Sequence, residues 1–256
     1  MIFNIDRVSE TQSTNDLLRT LADKKSLPEG YIVVAVAQTN GRGQMGAFWE
    51  SQPGQNINMS LLLRPDFLKA DSMFLISKII SLAIIDYLKS KEDGFKIKWP
   101  NDIYYHDKKI CGVLIENQFM GDRIVYSIVG IGLNVNQEAF ISNAPNPISM
   151  FNIFGCKFDL QAELQNLLNQ IEVWYQVLQN GWDGQINTAY FANLYRNDGV
   201  YSFRTPDGAV FDGTIISVEP NGRLHIKTTD GNERIFWFKE VAFANDFQPS
   251  QPIIIQ

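Results

Sequence analysis

The sequence predicts an α+β protein in which a mixed central sheet with flanking helices precedes a small all-β unit. Apolar runs rich in β-branched residues alternate with segments of helical spacing as far as Asn197, and only short strand-like runs follow it. The chain has 256 residues, of which 45% are hydrophobic, so it can form one large and one small core. We therefore predict domains at 1–197 and 198–256.

Each predicted element of the larger domain rests on a local pattern. Leu17, Leu18 and Leu21 fall at helical spacing after Ser13 and Thr14, either of which can cap a helix. Short apolar runs predict strands, and intervals rich in glycine predict loops. In chain order we predict a helix from 13, a strand at 31–37, a loop at 38–54, a strand at 56–63, the longest helix at 69–88, a strand at 95–99, a hairpin of 109–118 with 123–133, and helices at 160–178 and 185–195.

The smaller domain is predicted from four short runs, at 200–203, 214–218, 224–227 and 235–238. Turn sequences separate these runs, namely Pro206-Asp207-Gly208, Pro220-Asn221-Gly222 and Asp230-Gly231-Asn232. Closely spaced strands with such turns are typical of a small barrel or sandwich.

Composition argues against several classes of protein. The 22 Lys and Arg residues against 28 Asp and Glu give a net charge of -6, which is opposite to what phosphate neutralisation requires. Cys111 and Cys156 form neither a disulfide framework nor a Cys-x-x-Cys metal motif, and two histidines are too few for a His-rich site. Neither a secretory signal nor an apolar segment of about 20 residues is visible. We expect a soluble cytoplasmic protein that binds neither DNA nor a membrane.

The first motif is a glycine loop, Gly41-Arg42-Gly43-Gln44-Met45-Gly46, with Trp49 close behind. Its glycines match a dinucleotide-binding turn, but no helix follows, as that turn requires. Glycine permits close approach of a ligand, and Arg42 supplies charge for a carboxylate or phosphate. Taken alone, the motif fits a solvated surface loop equally well.

Two further motifs place polar groups at strand ends. Asn101 and Asp102, in Lys98-Trp99-Pro100-Asn101-Asp102-Ile103, follow one strand, and Lys109 begins the next, so a carboxylate and an ammonium can converge on one ligand. A plain turn and a charged hairpin edge are the alternatives. In Gly130-Ile131-Gly132-Leu133-Asn134, two glycines within a strand indicate close approach to the backbone, and Asn134 pairs with a ligand or with nearby backbone.

Together these motifs resemble those of biotin protein ligases. Ser13-Thr14-Asn15, the glycine loop with Trp49, the motif at 98–103, Lys109 with Gly112 and Glu116, and the motif at 130–134 occur in the family's order and spacing over 13–149. The resemblance implies a biotin/lipoate ligase-like catalytic domain at 1–197. The strands at 198–256 resemble the family's SH3-like C-terminal domain, a small β-barrel.

The resemblance implies an activity. The family joins biotin to a lysine of a biotin carboxyl carrier protein: the biotin carboxylate attacks the α-phosphate of ATP, and the carrier lysine then attacks biotinyl-AMP. The first step brings two anions together, so it requires cations and Mg²⁺. The implied ligands are therefore ATP, biotin and Mg²⁺.

The resemblance also assigns residues to roles. Arg42 and Lys109 are the catalytic cations, and Asp102 accepts the proton of the attacking lysine, with a turn-capping or Mg²⁺-associated Asp102 as the alternative. The biotin-binding set is Ser13, Thr14, Asn15, Gln38, Arg42, Gly43, Gln44, Trp49, Lys109 and Gly112. The adenylate-binding set is Arg42, Trp99, Asn101, Lys109 and Asn134. No protein ligand to a metal is assigned, and the glycine loop is expected to be mobile without ligand.

The chain departs from the family pattern at Gln44, where many members carry a second basic residue. Few residues precede Ser13, so we expect the form without the N-terminal DNA-binding domain. Two alternatives remain open, a lipoate ligase or octanoyltransferase of the related fold and a biotin-binding sensor without turnover. Retention of Arg42, Asp102 and Lys109 argues against the sensor. A homodimer paired through an exposed strand also remains open.

Overall fold

The computed structural model of the protein describes residues 2–142 and 146–244, apart from the side chain of Met45. The chain forms two units, Met1–Tyr195 and Arg196–Gln256. The domain boundary predicted after Asn197 lies beside this division. None of the helices in the described ranges is long and apolar enough to cross a membrane.

The larger unit contains a mixed seven-stranded sheet, as predicted. Its strands are β1 (Asn4–Thr11), β2 (Tyr31–Gln38), β3 (Ile57–Leu63), β4 (Phe95–Lys98), β5 (Asp102–Tyr105), β6 (Lys108–Met120) and β7 (Arg123–Leu133). They are arranged in the order β1-β2-β3-β7-β6-β5-β4. Strands β1 and β2 run parallel, and every other neighbouring pair is antiparallel. Strand β3 is buried on both faces, so its sequence is apolar throughout except at Asn58 and Ser60.

Five helices accompany the sheet over the described part of this unit: α1 (Thr14–Lys24), α2 (Phe74–Lys89), α3 (Met150–Phe154), α4 (Leu160–Gln179) and α5 (Asp183–Ala192). The prediction that the segment at 69–88 forms the longest helix is wrong, because α2 has 16 residues and α4 has 20. The first residues of that segment lie outside the helix and bond to the β6–β7 turn. Ala70 N donates to Asp122 O at 2.8 Å, and Lys69 pairs with Arg123.

The helices differ in how they cover the sheet. Helix α1 packs on β2, β3 and β7, where Leu18 meets Val33, Leu62 and Ile128. Helix α2 contacts β4, β5 and β6 and also packs against α4 and α5. Because α2 has neighbours on several sides, it is buried except at Asp86 and Lys89, and its sequence is apolar nearly all round.

Two strands and one helix of the larger unit's described part were not predicted. The side chains of β1 are mostly exposed, so its sequence lacks the apolar alternation of a half-buried strand. Strand β5 has four residues, and Asp102 begins it rather than closing the preceding strand. Helix α3 has five residues and begins with a capping box in which Ser149 and Asn152 bond each other's backbone N–H groups.

The smaller unit is an antiparallel sheet that fits the predicted SH3-like β unit. Its strands are β8 (Tyr201–Arg204), β9 (Val210–Val218), β10 (Leu224–Thr228), β11 (Glu233–Phe236) and β12 (Ala242–Phe243), in the order β11-β10-β9-β8-β12. Stacked rings of Phe203, Phe211 and Phe236 pack together in this unit. The turns fall at the predicted sequences, where Gly208, Gly222 and Gly231 have positive φ.

Candidate active site

Lys109 and Asp102 form an ion pair across adjacent strands. Strands β5 and β6 are joined by a tight hairpin in which Asp102 lies opposite Gly112 and Tyr104 lies opposite Lys109. Lys109 Nζ is 2.7 Å from Asp102 Oδ1, and each side chain keeps about a quarter of its surface exposed. The predicted convergence of a carboxylate and an ammonium is therefore present. Partial exposure leaves both groups accessible to a ligand.

The pair borders a cavity of about 370 Å³, a volume typical of small-molecule pockets. Its lining residues are Ala47, Phe48, Trp49, Glu50, Asp102, Tyr104, Lys109, Asn134, Phe140, Ser142 and Pro147. Four predicted site residues thus meet here: Trp49, Asp102, Lys109 and Asn134.

Asn134 presents an unused hydrogen-bond acceptor at this cavity. Its side chain is only 2% exposed, and Nδ2 donates to Ile148 O at 3.0 Å. Its Oδ1 has no hydrogen-bond partner among the residues that the structure describes. A buried acceptor without a partner costs about 1–3 kcal/mol, so this oxygen is suited to a donor on a bound ligand.

The indole of Trp49 packs against two facing glycines. Gly112 on β6 and Gly132 on β7 are directly opposite each other. A Cβ at Gly112 would lie 3.1 Å from the indole, and one at Gly132 would lie 2.6 Å from Nε1. The indole Nε1 donates to Asn58 Oδ1 at 3.3 Å, and Lys109 Nζ lies 5.6 Å from the ring centroid. A side chain at Gly132 would displace the indole, and one at Gly112 would require it to shift slightly, so this packing is the close approach predicted for β7.

A second group of polar residues, which we call the polar cluster, comprises Ser13, Thr14, Asn15, Gln38 and Ser60. Ser13, Thr14 and Asn15 are at most 4% exposed at the start of α1. Thr14 N donates to Gln38 Oε1 at 2.8 Å. Ser60 Oγ lies 2.7 Å from Thr14 Oγ1 and 2.6 Å from Asn15 Oδ1. Thr14, Asn15, Gln38 and Ser60 therefore form one hydrogen-bonded set of donors and acceptors beside the buried Ser13, and Gln38 is its half-buried member.

Arg42 is held beside this cluster by two carboxylates. Its guanidinium lies 2.5 Å from Asp16 and 3.4 Å from Glu116. Glu116 also accepts from Asn15 Nδ2 at 2.8 Å and pairs with Arg19 at 2.7 Å. Burial raises the pKa of Glu116, but the hydrogen bonds from Arg19 and Asn15 outweigh this and hold it below the ordinary value. Arg42 does not line the cavity beside Lys109, where a phosphate contact was predicted.

Comparison with known proteins identifies the family. Residues 7–134 match the model of the Biotin/lipoate A/B protein ligase family. A bifunctional ligase/repressor BirA from Bacillus spizizenii is 32% identical over 238 residues, which cover 90% of this chain and 70% of that protein. The chain belongs to the Biotin/lipoate A/B protein ligase family. The predicted family resemblance and the predicted enzyme class, a ligase, are confirmed.

Further relatives extend the similarity over nearly the whole chain. A biotin--[acetyl-CoA-carboxylase] ligase from Mycobacterium tuberculosis is 27% identical and covers 86% of this chain and 82% of its own. The structure of the biotin protein ligase from Aquifex aeolicus in complex with biotin and ATP aligns with a TM-score of 0.74 and 25% identity. That alignment covers 93% of this chain and 97% of the other.

In this member of the family, the glycine loop folds back on itself. Gly43 N donates to Ala47 O at 2.6 Å, and Trp49 N donates to Gly41 O at 2.9 Å, around a 3-10 turn at Gln44–Gly46. A Cβ at Gly41 would lie 2.7 Å from Trp49 O. The expected mobility of this loop without ligand stays a prediction.

Two residues that were predicted to contact the adenylate, Asn101 and Trp99, do not line the cavity. Asn101 is bonded to the main chain of β6: its Nδ2 donates to Val113 O at 2.7 Å, and its carbonyl accepts from Val113 N at 2.9 Å. This bonding anchors the β4–β5 connection. Trp99, two residues before Asn101, is half-buried and does not line the cavity. Their contacts with a nucleotide stay predictions.

Asn58, Ser60 and Glu50 contribute to the site but were not singled out from the sequence. Asn58 bonds the indole of Trp49, Ser60 joins the polar cluster, and Glu50 lines the cavity. Asn58 and Ser60 carried a usable signal, because they are the polar residues of an otherwise apolar strand and point to the same face. No set of three His, Cys, Asp or Glu side chains in the described ranges is arranged to hold a metal ion.

Proposed function

We propose that this protein joins biotin to a lysine of a biotin carboxyl carrier protein, with ATP, through a biotinyl-AMP intermediate. The observation that carries the proposal is the Lys109–Asp102 pair on the cavity, on the same sheet as the buried polar cluster. The names of the M. tuberculosis and A. aeolicus relatives support the same two ligands and the same class of carrier.

The two parts of the site suit the two ligands. The ureido edge of biotin needs short donors and acceptors, which Ser13, Thr14, Asn15 and Ser60 supply. Trp49 offers an apolar face for the ring and the valeryl arm. The cavity beside Lys109 is assigned to the adenylate, where Asn134 Oδ1 accepts from a hydroxyl or amino group of the nucleotide.

In the first step, a biotin carboxylate oxygen bonds to the α-phosphorus as the bond to pyrophosphate breaks. Lys109 offsets the repulsion between these anions, because its ammonium lies at the cavity wall. Arg42 can act here only by exchanging its contacts with Asp16 and Glu116 for the ligand.

In the second step, the carrier lysine attacks the acyl carbon, AMP leaves, and the amine loses a proton. Asp102 is the proposed proton acceptor because it lines the cavity beside Lys109. Mg²⁺ usually binds through one or two carboxylates together with substrate phosphates. Asp102 fits that pattern as well and would hold the ion with ATP, where the ion supplies charge neutralisation.

The test is pyrophosphate release from Mg·ATP in the presence of biotin or lipoate, followed by mass spectrometry of a carrier domain. We expect release with biotin and addition of one biotinyl group to one lysine. Pyrophosphate release with lipoate but not with biotin would make the protein a lipoate ligase. Binding of biotin without release of pyrophosphate would make it a sensor. Either result overturns the proposal.

A further inference from the structure

The carboxylate of Glu50 binds the chain that follows β7. Its Oε1 accepts from Ile141 N at 3.0 Å and from Gln137 Nε2 at 3.1 Å, and its Oε2 accepts from Ser142 N at 2.8 Å. Burial raises the pKa of Glu50, but the hydrogen bonds from Ser142 and Ile141 outweigh this and lower it. Glu50 is thus an ionised acceptor that joins two segments far apart in sequence.

The segment at 138–142 has little apolar packing of its own. Glu138 and Ala139 are exposed, and the side chain of Ile141 is 89% exposed. Phe140 and Ser142 nevertheless line the cavity, together with Glu50 itself. Since burial does not fix this segment, its position depends on hydrogen bonds.

The chain just before this segment, at 135–137, is anchored in the core. Gln137 is fully buried, and its Oε1 accepts from Gln52 N at 3.0 Å and from Asn56 Nδ2 at 2.6 Å. Asn56 Oδ1 in turn accepts from Val135 N at 2.9 Å. The chain at 50–56 and the chain at 135–142 therefore form one hydrogen-bonded unit, and Glu50 extends it to the cavity wall.

We infer that Glu50 is a positioning residue for ATP, which holds the segment at 138–142 in the conformation that forms the nucleotide pocket. This inference rests on the proposed function, because it assigns the cavity to ATP. A pocket that is formed only part of the time binds its ligand more weakly in proportion to the formed fraction. Glu50 therefore strengthens ATP binding without contacting the polar cluster, to which biotin is assigned.

The experiment compares Glu50→Ala and Glu50→Gln with the native chain and with Glu138→Gln. Glu138 is a matched control, because it is an exposed carboxylate of the same segment that pairs with Lys157 at 3.6 Å. Hydrogen exchange is measured on the ligand-free protein at Ile141 and Ser142. ATP affinity is measured by calorimetry, and KM and kcat are measured by pyrophosphate release.

In Glu50→Ala we expect exchange at Ile141 and Ser142 to accelerate about tenfold, and the Kd and KM for ATP to rise about tenfold. The KM for biotin and kcat should change less than about threefold. Glu50→Gln should lie between, because its amide oxygen accepts one N–H while its NH₂ group opposes the other. Glu138→Gln should match the native chain.

Two outcomes overturn the inference. Unchanged exchange and unchanged ATP affinity in Glu50→Ala would show that the segment holds its position without the carboxylate. Tighter ATP binding in Glu50→Gln would show that Glu50 acts by repelling the phosphates. A native protein that binds ATP but releases no pyrophosphate with biotin contradicts the proposed function only, since exchange and ATP affinity still decide the role of Glu50.

Discussion

The polar cluster at the start of α1 and the cavity beside Lys109 share one sheet but are held in different ways. In the cluster, Thr14, Asn15 and Ser60 are almost fully buried and bonded to one another. The cavity takes much of its wall from loops, where Phe48 is 59% exposed and Asn134 Oδ1 lacks a partner among the described residues. The difference indicates that the cluster is formed before any ligand arrives, whereas the cavity is completed by its ligand.

The largest expected effect comes from Lys109→Ala on the cavity side. Removing one electrostatic contact of this kind typically lowers the rate of the chemical step about 10²–10³-fold, and a similar loss of adenylation is expected. The fold should survive, because the side chain is partly exposed. Pyrophosphate release measures the loss of adenylation, and the unfolding midpoint measures whether the fold survives. Lys108→Ala is the control, since Lys108 is an exposed neighbour, and near-normal release by Lys109→Ala would remove Lys109 from the mechanism.

The second effect concerns how strongly biotin restricts the motion of the glycine loop at 41–49. Biotin at a hundred times its Kd should slow proteolysis and hydrogen exchange there by up to about a hundredfold, because binding to the ordered form adds about 2.7 kcal/mol. Exchange at the β6–β7 turn, around Gly121, should stay unchanged and serves as the internal control. Equal nicking of the loop with and without saturating biotin would contradict loop closure.

The third effect tests whether the polar cluster is preformed. Ser60→Ala removes the buried hydroxyl that bonds Thr14 Oγ1 and Asn15 Oδ1, so the free energy of unfolding should fall by about 1–3 kcal/mol. Ser81→Ala is the matched control. Ser81 is equally buried but its hydroxyl has no partner among the described residues, so its loss should be nearly neutral. Equal urea midpoints for the two variants would show that the cluster does not depend on Ser60.

These contrasts also separate what the sequence predicts from what it does not. The Lys109–Asp102 pair and the close approach at Gly132 were predictable, because strand ends and glycines within strands are marked by local patterns. The contacts of Glu50 were not, because its partners are backbone N–H groups 91 and 92 residues away, and every residue except proline carries such a group. The placement of Arg42 beside Asp16 and Glu116 likewise depends on long-range pairing.

The smallest expected effect concerns Gln44, in the turn of the glycine loop. A neutral amide contributes about 1 kcal/mol in a hydrogen bond, whereas a charged donor contributes about 1.5–3 kcal/mol. We therefore expect biotinyl-AMP to leave the native protein faster than it leaves Gln44→Arg. Single-turnover release of labelled biotinyl-AMP without carrier protein measures this difference. Equal rates, or faster release from the variant, would sink the expectation.

The indole on the glycine pair has a spectroscopic consequence. Trp49 is half-buried, its N–H is bonded to Asn58, and the ammonium of Lys109 lies over its ring, so its emission depends on the state of the site. A ligand that displaces Lys109 or covers the ring changes the field and the solvation that this fluorophore experiences. We therefore expect the emission of Trp49 to report whether the site is occupied. Trp49→Phe keeps an aromatic ring on Gly112 and Gly132 while removing that signal.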